Sequence, residues 1–283
     1  MTTSNPIKAD PLLAANLGEW NEKINAYLEL PFHQSRVKIA LGMLREAFQK
    51  SAADQRSRGI EPARPRGIEL GSSDGEIAVQ IRDMGADIVA CDGDEKALAV
   101  AREKHGLETK AFDISKDFPF EKNSLDFIYA GELIEHLVDT RKFLAECNRV
   151  LKPGGTLVLT TPNLATLRDR FRFLAGLSPR QIDPTHPYLW LHVRPFTGEM
   201  LKKCLHEAGF EETSLRSNLV GIPLPYGSGK VVESKLLYKL GVRNLEKGRK
   251  QLESKLLARR FPKLGGSLIT SSQKPKPAPA PGF

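Results

Sequence analysis

Two patterns of apolar residues alternate along the middle of the chain. Short apolar runs, such as GIEL and DIVACD, are followed by segments with apolar residues every three or four positions. The runs are typical of buried strands, and the spaced pattern is typical of helices with one apolar face. Gly85, Gly106 and the sequence Pro153–Gly154–Gly155 end three of these helices. Strands that alternate with helices of this length predict a parallel sheet covered by helices on both faces.

The segments on either side of this alternation divide the chain. Residues 17–58 carry a helical pattern, so residues 1–60 are predicted to form an N-terminal helical cap. Residues 61–274 are assigned to the main domain, which contains a basic insertion, predicted to be helical, at about 228–263. The end of the chain, residues 275–283, is rich in proline and has nothing to pack, which predicts disorder.

Composition and charge indicate where the protein is expected to be found and which partners it could bind. The chain has 283 residues, 40% of them apolar, and its three cysteines share no metal-like spacing. Neither a signal peptide nor an apolar run of about 18 residues is present, which predicts a soluble, cytoplasmic protein. The net charge of +8 is concentrated in residues 230–263, which hold eleven Lys or Arg and three Glu. Such a segment fits RNA, an anionic membrane surface or a phosphorylated substrate, or else it is a solvated helix face.

The stretch GIELGSSDGEI combines an apolar run, an acid and a glycine-containing turn before a helix. Gly71 and Gly75 would let a ligand approach the backbone closely at the partly positive start of that helix. The turn does not match the dinucleotide fingerprint G-x-G-x-x-G. Glu69, just before the turn, would repel a pyrophosphate. The stretch therefore predicts a ligand that carries a cation, such as an amino group.

Two further acids fit the rest of such a ligand. Asp92 ends the next predicted strand, where an acid in a doubly wound fold accepts hydrogen bonds from ribose hydroxyls. Asp113, in AFDI, is placed to accept from an exocyclic amine, and Ile114 is placed against a base. An amino acid, a ribose and an adenine together describe S-adenosylmethionine.

Four motifs resemble those of the class I S-adenosylmethionine-dependent methyltransferases. They are IELGSSDG, VACDGDEKAL, AFDISKDFPFEKNSLDFIYAGELIEHL and NRVLKPGGTLVLTTPN, in the family's order over roughly residues 65–165. The resemblance implies a doubly wound, Rossmann-like α/β fold with a seven-stranded sheet in the order 3-2-1-4-5-7-6. Residues 210–218 would be strand six, and residues 265–273 would be the last strand, which is antiparallel. Ser73 replaces the usual middle glycine of the family's turn, which lowers the expected affinity for the cofactor.

The stretch GELIEHL, after the fourth predicted strand, carries the candidate chemistry. Gly131 would let the cofactor pass closely, and His136 is the best proton acceptor for methyl transfer. Glu132, Glu135 and His136 are spaced to share one face of a helical turn, and carboxylates with an imidazole bind divalent cations. The Glu135–His136 pair resembles the ubiquinone-biosynthesis O-methyltransferases.

A later histidine extends this set to four. The E-x-x-E-H spacing with a later histidine resembles the small-RNA 3′-end 2′-O-methyltransferases, in which four such residues hold a metal. By that resemblance, Mg²⁺ or another divalent cation would be bound by Glu132, Glu135, His136 and His192. The cation would lower the pKa of one oxygen of a bound diol. Without a metal, Glu132 would touch the cofactor, Glu135 would be solvated, and His136 would act alone or pack.

The long loop after the fifth predicted strand supplies candidates for acceptor binding. It contains Tyr188, Trp190 and Arg194, and its aromatic side chains either suit a sugar face or an aromatic acceptor or close the loop on the core. The predicted function is methyl transfer from S-adenosylmethionine to a hydroxyl of a small molecule or glycan, of the secondary-metabolite, quinone or surface-polysaccharide type. The alternatives are metal-dependent RNA 2′-O-methylation, N-methylation of a small molecule or peptide, and a non-catalytic cofactor-binding module.

Overall fold

The structure, a computed structural model, describes residues 28–182, 191–223 and 251–277. In these ranges, strands β1 to β9 are Arg66–Leu70, Asp87–Asp92, Glu108–Ala111, Leu125–Gly131, Leu151–Pro162, Glu211–Arg216, Val220–Pro223, Gln251–Ser254 and Ser267–Gln273. Helices α1 to α7 are Pro31–Ser57, Glu76–Asp83, Glu95–His105, Thr140–Val150, Leu167–Leu174, Gly198–Glu207 and Lys255–Arg260. Short 3₁₀ turns lie at Ile134–His136, Arg180–Ile182 and Pro262–Leu264.

Seven of the strands form one sheet in the order β3-β2-β1-β4-β5-β9-β6. The first five strands pair in parallel, and β9 is antiparallel to both of its neighbours, β5 and β6. The predicted strand order and the predicted antiparallel last strand are both confirmed. Between strands six and seven of the sheet, the chain adds β7 and β8, which form a separate antiparallel pair.

Apolar clusters join helices to both faces of this sheet. One cluster includes Phe143 of α4 and Leu201 of α6 together with strand residues. The other includes Leu44 of α1, Ile81 of α2 and Leu98 of α3. Two helical layers around a mostly parallel sheet make a doubly wound α/β domain, as predicted.

Local sequence determines where several helices begin and end. The Asp94 carboxylate accepts the backbone N–H of Lys96 at the start of α3, and Gly106 follows the end of that helix with a φ of 63°. The Thr197 hydroxyl accepts the backbone N–H of Met200 at the start of α6. An N-terminal cap of this kind stabilises a helix by about 1 kcal/mol.

The predicted helical insertion at about 228–263 needs correction where the structure describes it. Residues 224–250 lie outside the described residues. Gln251–Ser254 is a strand, because its backbone pairs with β7 instead of forming helical hydrogen bonds. Lys255–Arg260 is helical, as predicted.

The predicted disordered tail at 275–283 also needs correction at its start. Lys276 forms an ion pair with Asp54 of α1, with 2.7 Å between Nζ and Oδ2. The tail is therefore anchored to α1 at this residue. Residues 278–283 lie outside the described ranges.

The N-terminal helix lies across the sheet. The helix predicted at 17–58 is observed from Pro31 to Ser57, and residues 1–27 are outside the described ranges. α1 packs against β5 and β9, which brings its first turns to the carboxyl ends of the parallel strands. Ligands of doubly wound folds bind at that edge. No helix in the described ranges is long and apolar enough to cross a membrane.

Candidate active site

The turn after β1 is left-handed at three residues. Gly71, Ser73 and Gly75 have φ angles of 72°, 49° and 84°. A Cβ atom at Gly75 would lie 2.5 Å from Cδ1 of Leu107, and the left-handed φ there also favours glycine. The Ser72 hydroxyl is buried and has no hydrogen-bond partner among the described residues. The turn is therefore a backbone cradle at the start of α2, with one polar side chain available to a ligand.

Asp92, at the end of β2, ties this turn to the neighbouring strand. Its Oδ2 accepts the backbone N–H of Ser73 at 2.8 Å, and its Oδ1 accepts the backbone N–H of Asp94 at 3.0 Å. The side chain is buried, and burial raises the pKa of its carboxyl. Each carboxylate oxygen has a further lone pair, so Asp92 is able to accept two more hydrogen bonds from a diol.

Glu69 is a second buried acid, on β1 beside the same turn. Its side chain is 2% exposed, and its Oε2 has no hydrogen-bond partner among the described residues. Burial, reinforced by the charges of Asp92 and Asp74, raises the pKa of its carboxyl well above the usual range. A buried polar atom without a partner costs free energy, so this position favours a ligand that carries a hydrogen-bond donor.

A buried ionic network lies at the ends of β4 and β5. Arg36 of α1 is 2% exposed, and its Nη1 donates to Oγ1 of Thr160 at 2.7 Å. The same Nη1 lies 3.8 Å from Oε1 of Glu132, which also accepts from the Thr160 hydroxyl at 3.1 Å. A Cβ atom at Gly131 would lie 3.3 Å from Nη1 of Arg36 and 3.2 Å from the Tyr129 hydroxyl. The glycine therefore leaves room for a guanidinium beside the strand ends.

Three further side chains converge just past β4. Glu135, His136 and His192 each offer a ligand atom, and these atoms all lie within 4.8 Å of one another. The two imidazole rings meet edge to face, with centroids 4.9 Å apart. Glu135 is 1% exposed; its Oε2 accepts from the Thr161 hydroxyl at 2.9 Å, and its Oε1 has no partner among the described residues. Burial, with the nearby charge of Glu132, raises the pKa of its carboxyl.

The contacts of His136 determine its protonation state. Its Nδ1 lies 3.2 Å from the carbonyl oxygen of Leu191, which only accepts hydrogen bonds. Nδ1 therefore carries the hydrogen and Nε2 keeps its lone pair. Burial lowers the pKa of the imidazole, so the ring is neutral at pH 7. His136 is thus held in a state that accepts a proton or binds a metal.

A groove of about 510 Å³ lies at the opposite end of the sheet, near the starts of β4 and β5. Ion pairs bridge acidic and basic residues that line it, with 2.8 Å between Lys152 and Asp126 and 2.7 Å between Lys276 and Asp54. It includes none of the residues of the turn, the ionic network or the histidine cluster. We therefore place the candidate site at the carboxyl ends of the strands and not in this groove.

Several known proteins that resemble the chain in sequence carry methyltransferase names. A probable S-adenosylmethionine-dependent methyltransferase of Mycolicibacterium smegmatis is 31% identical over 144 residues, which are 51% of this chain and 51% of that protein. The ubiquinone biosynthesis O-methyltransferase of Rhizobium etli is 27% identical over 197 residues, which are 65% of this chain and 74% of that protein. The chain spans about half the length of the mycobacterial relatives that it matches.

Solved structures share the fold. A chain of the complex between the Haloferax volcanii Trm112 methyltransferase activator and a methyltransferase matches with a TM-score of 0.55 and 16% identity. The match covers 94% of this chain and 98% of that chain. A S-adenosylmethionine-dependent methyltransferase of Thermotoga maritima matches with a TM-score of 0.51 and 19% identity, over 90% of this chain and 98% of that chain.

The family match decides the assignment. The family described as "Methyltransferase domain" matches residues 68–159, which run from β1 to β5 and contain both Asp92 and His136. Residues 68–159 therefore belong to a methyltransferase domain of the class I S-adenosylmethionine-dependent kind. The resemblance predicted from four sequence motifs is thereby confirmed.

Asp113 and Ile114, the two residues predicted to contact adenine, have different surroundings in the structure. Asp113 follows β3, and its Oδ1 accepts from the backbone N–H and the hydroxyl of Ser115, at 2.9 Å and 2.6 Å. Ile114 is 5% exposed and belongs to the apolar core. Asp113 therefore shapes its own turn and Ile114 packs the core, and their contacts with adenine stay predictions.

Of the four predicted metal ligands, the structure brings three together. Glu135, His136 and His192 form the cluster, whereas Glu132 has a left-handed φ of 52° and its carboxylate lies with Thr160 and Arg36 instead. The predicted helical turn that would align Glu132 with the others begins only after it, at Ile134.

The predicted acceptor-binding residues are only partly described. Tyr188 and Trp190 lie outside the described residues. Arg194 is exposed; its backbone N–H donates to the Glu135 carbonyl at 3.0 Å, and its Nε donates to the Val138 carbonyl at 3.2 Å. These contacts hold the loop that carries His192 against the turn that carries His136.

Arg36 and Thr160 are site residues that the sequence reading missed. A signal was present for the first of them, because Arg36 shares the buried face of α1 with Val37, Ala40 and Leu44. A charged residue on an apolar helix face is rarely buried without a partner. For Thr160 the sequence carries no signal beyond its place in a buried strand.

Replacement of Ser73 by glycine tests the one departure from the family's turn. A non-glycine residue at a φ of 49° is strained, so Ser73→Gly is expected to raise the free energy of unfolding by up to about 1 kcal/mol. Ser73→Ala, which keeps the Cβ atom, is the matched control and should bring no gain. Chemical denaturation of the three proteins measures the difference, and a less stable Ser73→Gly variant would show that the serine side chain is needed there.

Proposed function

We propose that this methyltransferase domain transfers a methyl group from S-adenosylmethionine to a hydroxyl group of a small molecule or glycan. The observation that carries the proposal is the neutral His136, fixed by Leu191 and clustered with Glu135 just past β4. A neutral imidazole held in one tautomer is suited to accept a proton from a hydroxyl. The relative named as a ubiquinone biosynthesis O-methyltransferase supports oxygen as the acceptor atom.

The turn after β1 and the adjacent acids would hold the cofactor. The spare lone pairs of Asp92 fit ribose hydroxyls, and the unpaired Oε2 of Glu69 fits a donor such as an amino group. The glycine cradle at Gly71 and Gly75 admits a ligand close to the backbone. The residues present therefore fit the cofactor. When bound, it supplies a methyl group that its sulfonium has already activated.

Arg36 would bind the carboxylate of the cofactor's methionine part. It is a buried cation at the ends of β4 and β5. Glu69 and Asp92 lie near the ends of β1 and β2, at the same edge of the sheet. Its fixed guanidinium offers several donors to a carboxylate, which is the pairing for which arginine is best suited. Glu132, 3.8 Å away, balances this positive charge and holds the guanidinium in place while the site is open.

His136 would act on the acceptor. Its Nε2 would take the hydroxyl proton while the acceptor oxygen forms its bond to the methyl carbon and the methyl–sulfur bond breaks. Leu191 keeps the second ring nitrogen protonated, so the ring becomes a cation only at this step. Glu135, buried beside the ring, would stabilise that cation.

A divalent cation is a second candidate for the same cluster. Two imidazoles and a carboxylate within 4.8 Å of one another offer a mixed nitrogen and oxygen ligand set. The bond from His136 Nδ1 to a backbone carbonyl and the contact of His192 Nδ1 with Oε1 of Gln181, at 2.9 Å, are the outer contacts that orient metal-binding histidines. A bound cation would supply Lewis acidity to an acceptor hydroxyl.

Metal binding is tested with a matched pair of acid variants. Wild type should bind one Mn²⁺, and Glu135→Gln should weaken that binding by about tenfold or more, because it removes the anionic ligand. Glu132→Gln should leave Mn²⁺ affinity unchanged, since Glu132 lies outside the cluster. Electron paramagnetic resonance of free Mn²⁺ measures both. An absence of Mn²⁺ binding, or equal binding by Glu135→Gln, would leave His136 to act without a metal.

The acceptor class is tested with methyl-labelled S-adenosylmethionine and fractions of a source-cell extract. Label in a hydroxyl-bearing small molecule, glycan or lipid supports the proposal. Label in RNA would favour 2′-O-methylation, with the basic segment 230–263 binding the RNA. Label on nitrogen would favour N-methylation. Bound cofactor with no label in any fraction would favour a non-catalytic binding module.

A further inference from the structure

Large apolar side chains are exposed on and just after α5. Phe171, Phe173, Leu174, Leu177 and Ile182 are 53%, 72%, 82%, 52% and 49% exposed. They are five of the twelve exposed large apolar side chains in the described ranges, and they fall within one stretch of residues 171–182. Scattered exposed apolar residues are ordinary, but such a concentration marks an interaction surface.

The same stretch carries an excess of positive charge. Arg168, Arg170, Arg172 and Arg180 accompany a single acid, Asp169. Arg170 is exposed, whereas Arg172 and Arg180 are half-buried and lie 4.0 Å and 3.6 Å from Oδ1 of Asp169. Asp169 is 1% exposed; its Oδ2 accepts from the Thr166 hydroxyl at 2.6 Å and its Oδ1 accepts from the backbone N–H of Arg180 at 3.1 Å. The acid is therefore buried and partly neutralises Arg172 and Arg180, and the net charge left at the surface of this stretch is positive.

A second segment, α7, also combines exposed basic and apolar side chains. α7 presents the exposed basic residues Lys255, Arg259 and Arg260, and Leu256 and Phe261 are 45% and 50% exposed. Both α5 and α7 pack against β7, so the two apolar and basic segments border the same antiparallel strand pair, β7 and β8.

We propose that the α5 surface, defined as Phe171, Phe173, Leu174, Leu177 and Ile182 with the arginines beside them, docks on a membrane that contains anionic lipids. The apolar side chains would enter the boundary between headgroups and acyl chains, and the arginines would pair with lipid phosphates. Charge complementarity selects this occupant, because the surface offers cations and no exposed acid.

Two other occupants fit the surface less well. The bases of RNA would stack on Phe171 and Phe173, but Leu174, Leu177 and Ile182 are aliphatic and offer no ring for stacking. A second copy of the chain, paired through the same surface by a two-fold axis, would bring arginines against arginines. Neither occupant uses both the aliphatic side chains and the net positive charge.

The α5 surface adjoins the candidate active site. Gln181, next to Ile182, contacts His192 Nδ1 through its Oε1 at 2.9 Å, and Thr166, which caps α5, follows the end of β5 by four residues. A docked domain would therefore hold its site near the lipid headgroups. Docking goes beyond the proposed methyl transfer and is measured independently of it.

Vesicle sedimentation of the full chain tests the proposal. Wild type should sediment with vesicles of phosphatidylcholine and phosphatidylglycerol, and much less with phosphatidylcholine alone. The double variant F173S/L174S should bind the anionic vesicles about tenfold or more weakly, since it removes the two most exposed apolar side chains. The matched control is I60S/V100S, which removes two exposed apolar residues elsewhere and should bind like wild type.

Three results would overturn docking. They are wild type that stays in the supernatant with anionic vesicles, F173S/L174S that binds as well as wild type, and a wild-type dimer that F173S/L174S converts to a monomer. Affinity for S-adenosylhomocysteine, measured on the same samples, shows that each variant is folded. It also separates a failure of docking from a failure of the proposed function.

Discussion

His136→Ala is expected to lower kcat by about 100- to 10,000-fold, the usual contribution of a positioned general base. Affinity for S-adenosylmethionine should stay as in wild type, because the glycine turn, Glu69 and Asp92 are untouched. Turnover should fall because the variant removes a neutral imidazole whose Nδ1 is held by the backbone carbonyl of Leu191.

The control for this variant is His206→Ala, which removes an exposed histidine from α6 and should leave turnover unchanged. Rates are measured by transfer of labelled methyl groups to the identified acceptor, and cofactor affinity is measured by calorimetry. His136 also anchors the loop at Leu191, so chemical denaturation checks that the variant is folded. Normal turnover by folded His136→Ala would remove this residue from the chemistry.

Arg36→Met is expected to have the second large effect, on both stability and cofactor binding. It leaves Glu132 without its neighbouring cation and Thr160 Oγ1 without its donor, which should lower the free energy of unfolding by about 3 kcal/mol. If Arg36 also binds the cofactor's carboxylate, affinity for S-adenosylhomocysteine should fall about tenfold or more.

A ligand without the amino-acid part separates these two roles. Methylthioadenosine keeps the adenine and ribose and lacks the carboxylate, so Arg36→Met should bind it as wild type does. Arg45→Met, on the exposed side of the same helix, is the matched control and should alter neither affinity. Equal losses of affinity for both ligands would show that Arg36 supports the fold alone, and unchanged affinity for both would place the carboxylate elsewhere.

Much of the fold was predictable because its strands and helices are each specified locally. Buried runs such as DIVACD, capped or glycine-terminated helices such as α3, and four motifs in the family's order all agree with one topology. The last strand, Ser267–Gln273, was predicted from the sequence GGSLITSSQ, and the resemblance supplied its antiparallel place in the sheet. β8 was missed, because its pairing with β7 is a tertiary contact within a segment whose composition favours a helix.

The candidate site was predictable where one stretch of sequence builds it, and not where distant segments meet. Glu69, Asp92 and the turn between them follow from strand ends and glycines. Arg36 reaches Thr160 across 124 residues of sequence, a contact that no local pattern encodes. The left-handed backbone at Glu132 likewise redirects a carboxylate that ideal helical spacing would have placed with His136.

Calorimetric titration of S-adenosylhomocysteine into the wild-type chain tests the central claim most directly. The cradle at Gly71 and Gly75, with Asp92 and Glu69 beside it, predicts saturable binding of one molecule per chain that S-adenosylmethionine displaces. An absence of binding to folded protein would contradict the claim that this site holds the cofactor.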